Sequence, residues 1–293
     1  MSLQLRPIAD SFAREVRGLD LWQDLDGDTG AALRTVFAGH PLLVFRRQAL
    51  SEDELLAFGR ALGAPQQYIE RGWWSSRPEI SVVSNMRNGL GQPIGGLSSK
   101  ELNWHTDQSY NAAPVTGCFL YAQVVPQDGS RTSWADLYGA YDALPADMQQ
   151  QLDGAVGIFS YAARTGAVIP GVNGETVLQS YAERIRNTPD VRHALVHTHP
   201  VSGRKAIYID PGTLVGIDGM PPDEAQALFA ELLRIATLPG NVYRHDWQVG
   251  DLVLWDNAAT LHRRDAFADE QNRLLKRMII DLPAASHILP AAL

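Results

Sequence analysis

The sequence predicts an α+β, mainly β protein: two packed β-sheets flanked by a few helices. Three observations carry that expectation. Short apolar stretches recur along the chain, residues that favour turns bound them, and they do not alternate regularly with helices as a doubly wound parallel sheet requires. With 293 residues, 45% of them apolar and 20% charged, the chain can bury a substantial core. No internal repeat or low-complexity linker divides it, so one domain over residues 1–293 is expected.

The first strand is read at Leu3 to Ile8, followed by a helix over Thr29 to Ala38 that Pro41 ends. Leu42-Leu43-Val44-Phe45 reads as a short buried strand. Ser51 and Glu54 form a capping box ahead of Leu55-Leu56-Ala57-Phe58, and Gly63 supplies the stop, so a helix lies between them. Residues 64–104 read as irregular, interrupted by a strand at Ile80 to Val83; long loops of this kind are often functional. Val115 to Val125 is a strand and Pro145 to Leu152 a helical segment. Ala194 to His199 and Lys205 to Ile209 are later strands. Pro221 to Leu238 carries Pro at its start and Pro-Gly beyond its end, a helix signature. Asp251 to Trp255 and Leu274 to Leu282 are the closing strands.

The net charge of −8, with no run of lysines or arginines, argues against a face that tracks nucleic-acid phosphates. A few arginines in a closed pocket still allow an acidic small molecule. Cys118 is the only cysteine, which excludes an intrachain disulfide and a Cys-rich zinc site; its apolar surroundings suit a buried structural thiol. Residues Met1 to Asp10 lack a charged start followed by an apolar region, and no apolar stretch is long enough to span a bilayer. A soluble cytoplasmic protein is expected, with no membrane partner.

His105-Thr106-Asp107 offers an imidazole and a carboxylate at i, i+2, which leave the same face of an extended backbone. Alone, the triplet is common and usually sits in water. Far along the chain, a buried strand at Leu252-Val253-Leu254-Trp255 turns at Asp256-Asn257 and presents His262. Two imidazoles and one carboxylate on one side of a metal leave the opposite positions open, which suits Fe(II) oxygenases; the ligand types also suit Mn or Zn. Downstream, alternation places Arg273, Leu275, Arg277 and Ile279 on one strand face. Either that face is solvated, or each arginine clamps a carboxylate or sulfonate through its bidentate fork.

Taken together, the chain resembles the taurine dioxygenase/2,4-dichlorophenoxyacetate dioxygenase family of Fe(II)/2-oxoglutarate enzymes. The resemblance runs from about Leu3 to Leu282. It rests on Glu15 to Asp20, Asn103 to Tyr110, Thr132 to Asp136, Thr198 to Lys205, and Trp255 to His262 with its trailing arginines, in that order. It implies a double-stranded β-helix (jelly roll) core flanked by helices. It also implies Fe(II), 2-oxoglutarate as co-substrate, and O₂. By the same resemblance His105, Asp107 and His262 match the iron ligands, Thr132 and Arg273 hold the distal carboxylate of 2-oxoglutarate, and Arg277 meets an anionic substrate. No protein acid or base beyond the metal ligands is implied. Where the family commonly has a Gly-Gly pair this chain has Asp128-Gly129-Ser130-Arg131, and the loop Gln66 to Ile94 does not follow the taurine enzyme.

The expected activity is therefore hydroxylation, with or without C–O or C–S cleavage, of a small anionic molecule such as a sulfonate, alkyl sulfate or aryloxy carboxylate. The competing readings are a biosynthetic oxygenase of an amino acid or a metabolite derived from one, and a non-catalytic jelly-roll metal-binding module. Thr132, Arg273 and Arg277 argue against the module, because a bare metal site needs no dicarboxylate clamp. Trp73, Trp74 and Asn103 are candidate substrate contacts, with Tyr68 and Tyr110 behind them; core or surface aromatics are the plainer alternative. His197-Thr198-His199 reads as a strand ending in a turn. His40, His193, His245 and His287 have no ligand spacing. A homo-oligomer, dimer or tetramer, follows from the resemblance alone.

Overall fold

Alternating apolar side chains along the strands dictate two sheets packed face to face. The computed structural model describes residues 3–23, 27–67, 75–96, 99–165 and 186–293. The larger sheet runs β1 (Gln4–Pro7), β2 (Arg14–Arg17), β3 (Leu42–Phe45), β15 (Leu252–Asp256), β7 (Gly117–Val124), β17 (Leu274–Asp281) and β4 (Ala64–Pro65), with β5 (Ser81–Ser84) also paired to β17. The smaller runs β14 (Val242–His245), β8 (Thr132–Asp136), β16 (Thr260–Arg264) and β6 (Leu102–His105), every pair antiparallel. Outside them lie a three-stranded sheet, β10 (Val191–Ala194), β9 (Val156–Phe159) and β13 (Leu214–Ile217), and the pair β11 (Val196–Thr198) and β12 (Lys205–Ile207). The helices among the described residues include α1 (Gly27–Gly39), α2 (Glu52–Leu62), α3 (Leu137–Asp142), α4 (Ala146–Leu152), α5 (Tyr161–Thr165) and α6 (Pro222–Ala236).

Strand alternation sorts the core into layers. Cys118, Leu120, Ala122, Val253, Trp255, Leu275 and Ile279 of the larger sheet meet Trp134 and Tyr243 of the smaller one. The intervening residues Phe119, Tyr121, Leu252, Leu254, Met278 and Ile280 point the other way, onto Leu33 and Phe37 of α1 and Leu55, Phe58 and Leu62 of α2. On the far side, Ala135 and Leu261 pack against Leu137 of α3 and Leu228 and Leu232 of α6. Each such side chain contributes roughly 1.5–3 kcal/mol on full burial. Among the described residues no helix is long and apolar enough to cross a membrane.

Helix α2 begins as its sequence requires. The Ser51 hydroxyl accepts from Glu54 N (3.3 Å), and Ser51 N donates to Glu54 Oε2 (2.7 Å). Gly63 follows its last residue, but for a reason the sequence did not suggest. Its backbone is extended (φ −174°), so no left-handed cap is involved. A Cβ there would fall on the carbonyl oxygen of Asp281 and 2.8 Å from Ile280 Cγ2. Glycine lets the end of α2 lie directly on β17.

The structure changes several boundaries. Residues 64–104 are less irregular than expected, since β4 and β6 flank β5, and β5 begins one residue later than predicted. β6 (Leu-Asn-Trp-His) carries no β-branched residue, and pairing with β16 creates it. The expected strand Ala194 to His199 breaks at Leu195, where the chain leaves β9 for β12. The short helix α3 was not foreseen; Asp136 caps it by accepting from Tyr138 N.

Gly63→Ala should destabilise the protein by about 1–3 kcal/mol through overpacking against β17. A lower urea midpoint at unchanged m checks this, and a midpoint equal to the parent's would contradict it.

Candidate metal centre

Buried ligands need fixed backbones, and the sheets supply two of the three. His105 ends β6 and His262 lies mid-strand in β16, as direct cross-strand partners. Their rings sit 4.1 Å apart between centroids. Asp107 is not on extended backbone, as the i, i+2 reading supposed. It opens a turn after β6, followed by Gln108 at φ +56°.

Asn257 holds that turn. Its Oδ1 accepts from Asp107 N (2.9 Å), and its Nδ2 donates to the carbonyls of Asp107 (3.0 Å) and Val115 (2.9 Å). Its own carbonyl accepts from the Thr106 hydroxyl (2.6 Å). One buried amide thus ties the Asp107 backbone to the chain that leads into His262. In the sequence Asn257 stands out only as a turn former.

The ligand atoms of His105, Asp107 and His262 all lie within 4.8 Å of one another, and each residue is buried. Among the described residues no other group of three or more such side chains is poised this way. His105 Nδ1 faces the Asn103 carbonyl at 2.7 Å; a carbonyl can only accept, so Nδ1 carries the proton and Nε2 keeps its lone pair. His262 Nε2 lies 3.6 Å from Asp107 Oδ2.

The charges match that role. Burial would raise the Asp107 carboxyl, but Arg277, His262 and His105 hold it well below the usual carboxylate range. The Arg277 guanidinium pairs directly with Asp107 Oδ2. Burial, the largest cause, keeps both His105 and His262 neutral to lower pH than usual, as metal ligation requires. Cys118 is buried as expected, its Sγ 3.7 Å from Asp107 Oδ2, and burial pushes its thiol up.

A second set of cations lies in the same interior. Arg273 is 1% exposed, and among the described residues its guanidinium has no hydrogen bond or ion pair. Burial, then the charge of Arg264, lowers it to about 9. Thr132 opens β8, buried, and its hydroxyl accepts from Trp247 Nε1 (2.9 Å). Leu275 and Ile279 join the layer between the sheets, as the alternation from Arg273 predicts. Arg277 is half-buried, and Lys276 turns away to Glu52 (2.7 Å).

Other candidates fare differently. The Asn103 side chain is exposed, and its backbone carbonyl is the part that reaches the centre. Tyr110 is half-buried against Tyr161, at 4.8 Å between ring centroids, with Arg164 over its face. Trp73, Trp74 and Tyr68 lie outside the described residues. His197 and His199 stay apart from the centre, and His199 Nδ1 accepts from Val201 N and Ser202 N in the expected turn.

A family model described as taurine catabolism dioxygenase TauD, TfdA family matches residues 4–279. The alpha-ketoglutarate-dependent 2,4-dichlorophenoxyacetate dioxygenase of Cupriavidus pinatubonensis is 34% identical over 94% of this chain and 97% of its own length. The alpha-ketoglutarate-dependent sulfate ester dioxygenase of Pseudomonas putida is 28% identical over 96% of this chain and 90% of its own. The crystal structure of AAD-2 in complex with Mn(II) and N-oxalylglycine superposes with a TM-score of 0.78 at 27% identity, covering 97% of this chain and 98% of that one.

Asn257→Ala leaves buried groups unpaired, each costing about 1–3 kcal/mol. Lower stability and a loss of Mn(II) affinity of roughly 10-fold or more are expected. Mn(II) titration of the folded variant decides, since unchanged affinity would refute the clamp. The neighbouring Asp256 gives a pH signature. Burial pushes its carboxyl up to about 7, against the backbone N–H groups of Ala258 and Ala259. The unfolded chain ionises near 3.8, so this contribution to stability is full below that pH and is lost as pH rises to about 7. Asp256→Asn should gain on the parent over that interval, by at most about 1.4 kcal/mol per pH unit. Urea unfolding from pH 4 to 8 reads it, and a constant offset at every pH would count against it.

Proposed function

The chain belongs to the taurine catabolism dioxygenase TauD, TfdA family, and we propose from that premise that it is an Fe(II)- and 2-oxoglutarate-dependent dioxygenase. Its substrate is a small anionic organic molecule, an aryloxy carboxylate or a sulfate ester, the classes named for two of its relatives. The alternation of β6, β7, β8 and of β14 to β17 between the two sheets supports a double-stranded β-helix within one domain over residues 1–293.

One observation carries the reading. A buried His/Asp/His cluster shares the space between the sheets with a buried guanidinium, Arg273, that has no counter-ion among the described residues. A buried unpaired charge costs several kcal/mol, so a protein retains one where an anion is to be received. A mere metal-binding module has no use for it.

In this proposal His105, Asp107 and His262 hold the iron, and Arg273 with Thr132 anchors the distal carboxylate of 2-oxoglutarate. Trp247 already occupies an acceptor position on the Thr132 oxygen, which leaves the Thr132 O–H free to donate. Arg277 keeps Asp107 ionised and presents positive charge to the anionic group of the substrate. The Trp134 and Trp255 walls exclude water around His262, with Trp255 5.1 Å from its ring. Bound Fe(II) with 2-oxoglutarate and O₂ supplies the oxidising power, converting 2-oxoglutarate to succinate and CO₂. The protein contributes position and charge. Hydroxylation at a carbon bearing oxygen gives a product that collapses to a carbonyl compound and releases a phenol or sulfate.

Anaerobic reconstitution with Fe(II) and 2-oxoglutarate should give a weak visible charge-transfer band. Succinate release in air should rise above the uncoupled background with at least one phenoxy acid, alkyl sulfate or sulfonate. Arg273→Ala should weaken 2-oxoglutarate roughly 10- to 100-fold while sparing the metal. No band together with no substrate-stimulated succinate would sink the proposal.

A further inference from the structure

Arg264 stands two residues beyond His262 on β16, and alternation puts both on the same face of the sheet. Its cross-strand partner on β8 is Thr132, whose next partner, on β14, is His245. Arg264 and Thr132 are thus side-by-side neighbours on the face that carries His262. Arg264 is 6% exposed. Its Nη2 donates to the Lys100 carbonyl, and its guanidinium lies 5.2 Å over the Phe267 ring. Its Nε and Nη1 are buried with no hydrogen-bond partner among the described residues, as is the Nε of Arg273. No carboxylate pairs with either arginine among those residues. Burial lowers Arg264 to about 10, and Arg273 is lowered further by Arg264 itself.

Two buried guanidiniums that repel each other and leave N–H groups unmet are costly on their own. A single carboxylate relieves both costs at once. It has two oxygens and about four acceptor positions. The fork of Arg273 fills two and the Thr132 hydroxyl one, which leaves one for a further donor from the Thr132 side. We infer that Arg264 is a second cationic anchor for the distal carboxylate of 2-oxoglutarate, so that the pocket selects an oxo acid with a charged tail over one with an apolar tail. This rests on the 2-oxoglutarate reading above. The plainer alternative gives Arg264 a structural task only, holding Lys100 and Phe267 in place.

The test is anaerobic titration of the Fe(II)-loaded protein with 2-oxoglutarate and with 2-oxovalerate, which has the same chelating end and an uncharged tail, followed by the visible band. In Arg264→Met the Kd for 2-oxoglutarate should rise at least tenfold, while that for 2-oxovalerate stays within threefold of the parent's. Arg264→Lys, which keeps the charge, should recover most of the loss. Unchanged 2-oxoglutarate binding in Arg264→Met overturns the inference. So does an equal loss of both oxo acids, which is the mark of a structural role. A parent protein that shows no band with 2-oxoglutarate defeats the cofactor reading itself, and this inference with it.

Discussion

The interior between the two sheets has to hold ionised groups away from water, and the Asp107–Arg277 pair makes this workable. A carboxylate at that depth would otherwise take up a proton, because burial raises its pKa. Arg277 reverses the balance from β17 in the opposite sheet, and the two imidazoles add to the effect. The pair therefore ties the sheets together across the interior between them while keeping Asp107 in the state a metal needs. His105 and His262, kept neutral by the same burial, complete a donor set whose protonation states suit a divalent cation without rearrangement.

The interior is electrically lopsided. Around the proposed metal ligands the charges balance, with Asp107 against Arg277. Farther along the same sheet faces Arg264 and Arg273 lack counter-ions among the described residues; burial depresses both, and Arg264 depresses Arg273 further. In the proposed function a dicarboxylate would match this polarity, its chelating end toward the histidines and its charged tail toward the arginines. Uncompensated charge of this kind is tolerable only in a scaffold with stability to spare. The aromatic contacts of Phe58 with Phe45 and Phe119, each at 5.5 Å, and the α3 and α6 layer on the far side supply it.

Much of this was legible in the sequence because the chemistry tolerates few substitutes. A carboxylate and two imidazoles must appear as Asp and His, and an anion clamp as Arg, so His105, Asp107, His262, Arg273 and Arg277 could be singled out from residue type and spacing. The strands β3, β7 and β15 were readable for a similar reason, since burial on both faces leaves continuous apolar runs, and β17 was readable from its alternation. β6 was not readable. Of its four residues only Trp104 favours a strand, and its existence depends on β16 beside it.

By itself the sequence determined which atoms can bind and the periodicity that sends them inward, because both are properties of single residues and of local backbone. Tertiary structure alone decided how they meet. Asn257 became the support of Asp107, 150 residues away, through two hydrogen bonds to its backbone and a third to Val115 that no local pattern announces. Gly63 proved necessary for contact with Asp281 rather than for a turn. Arg264 joined Thr132 only because β16 and β8 pair in one particular register. The proposed metal ligands stand on that register too, since a slip of one residue would turn His262 away from the space between the sheets.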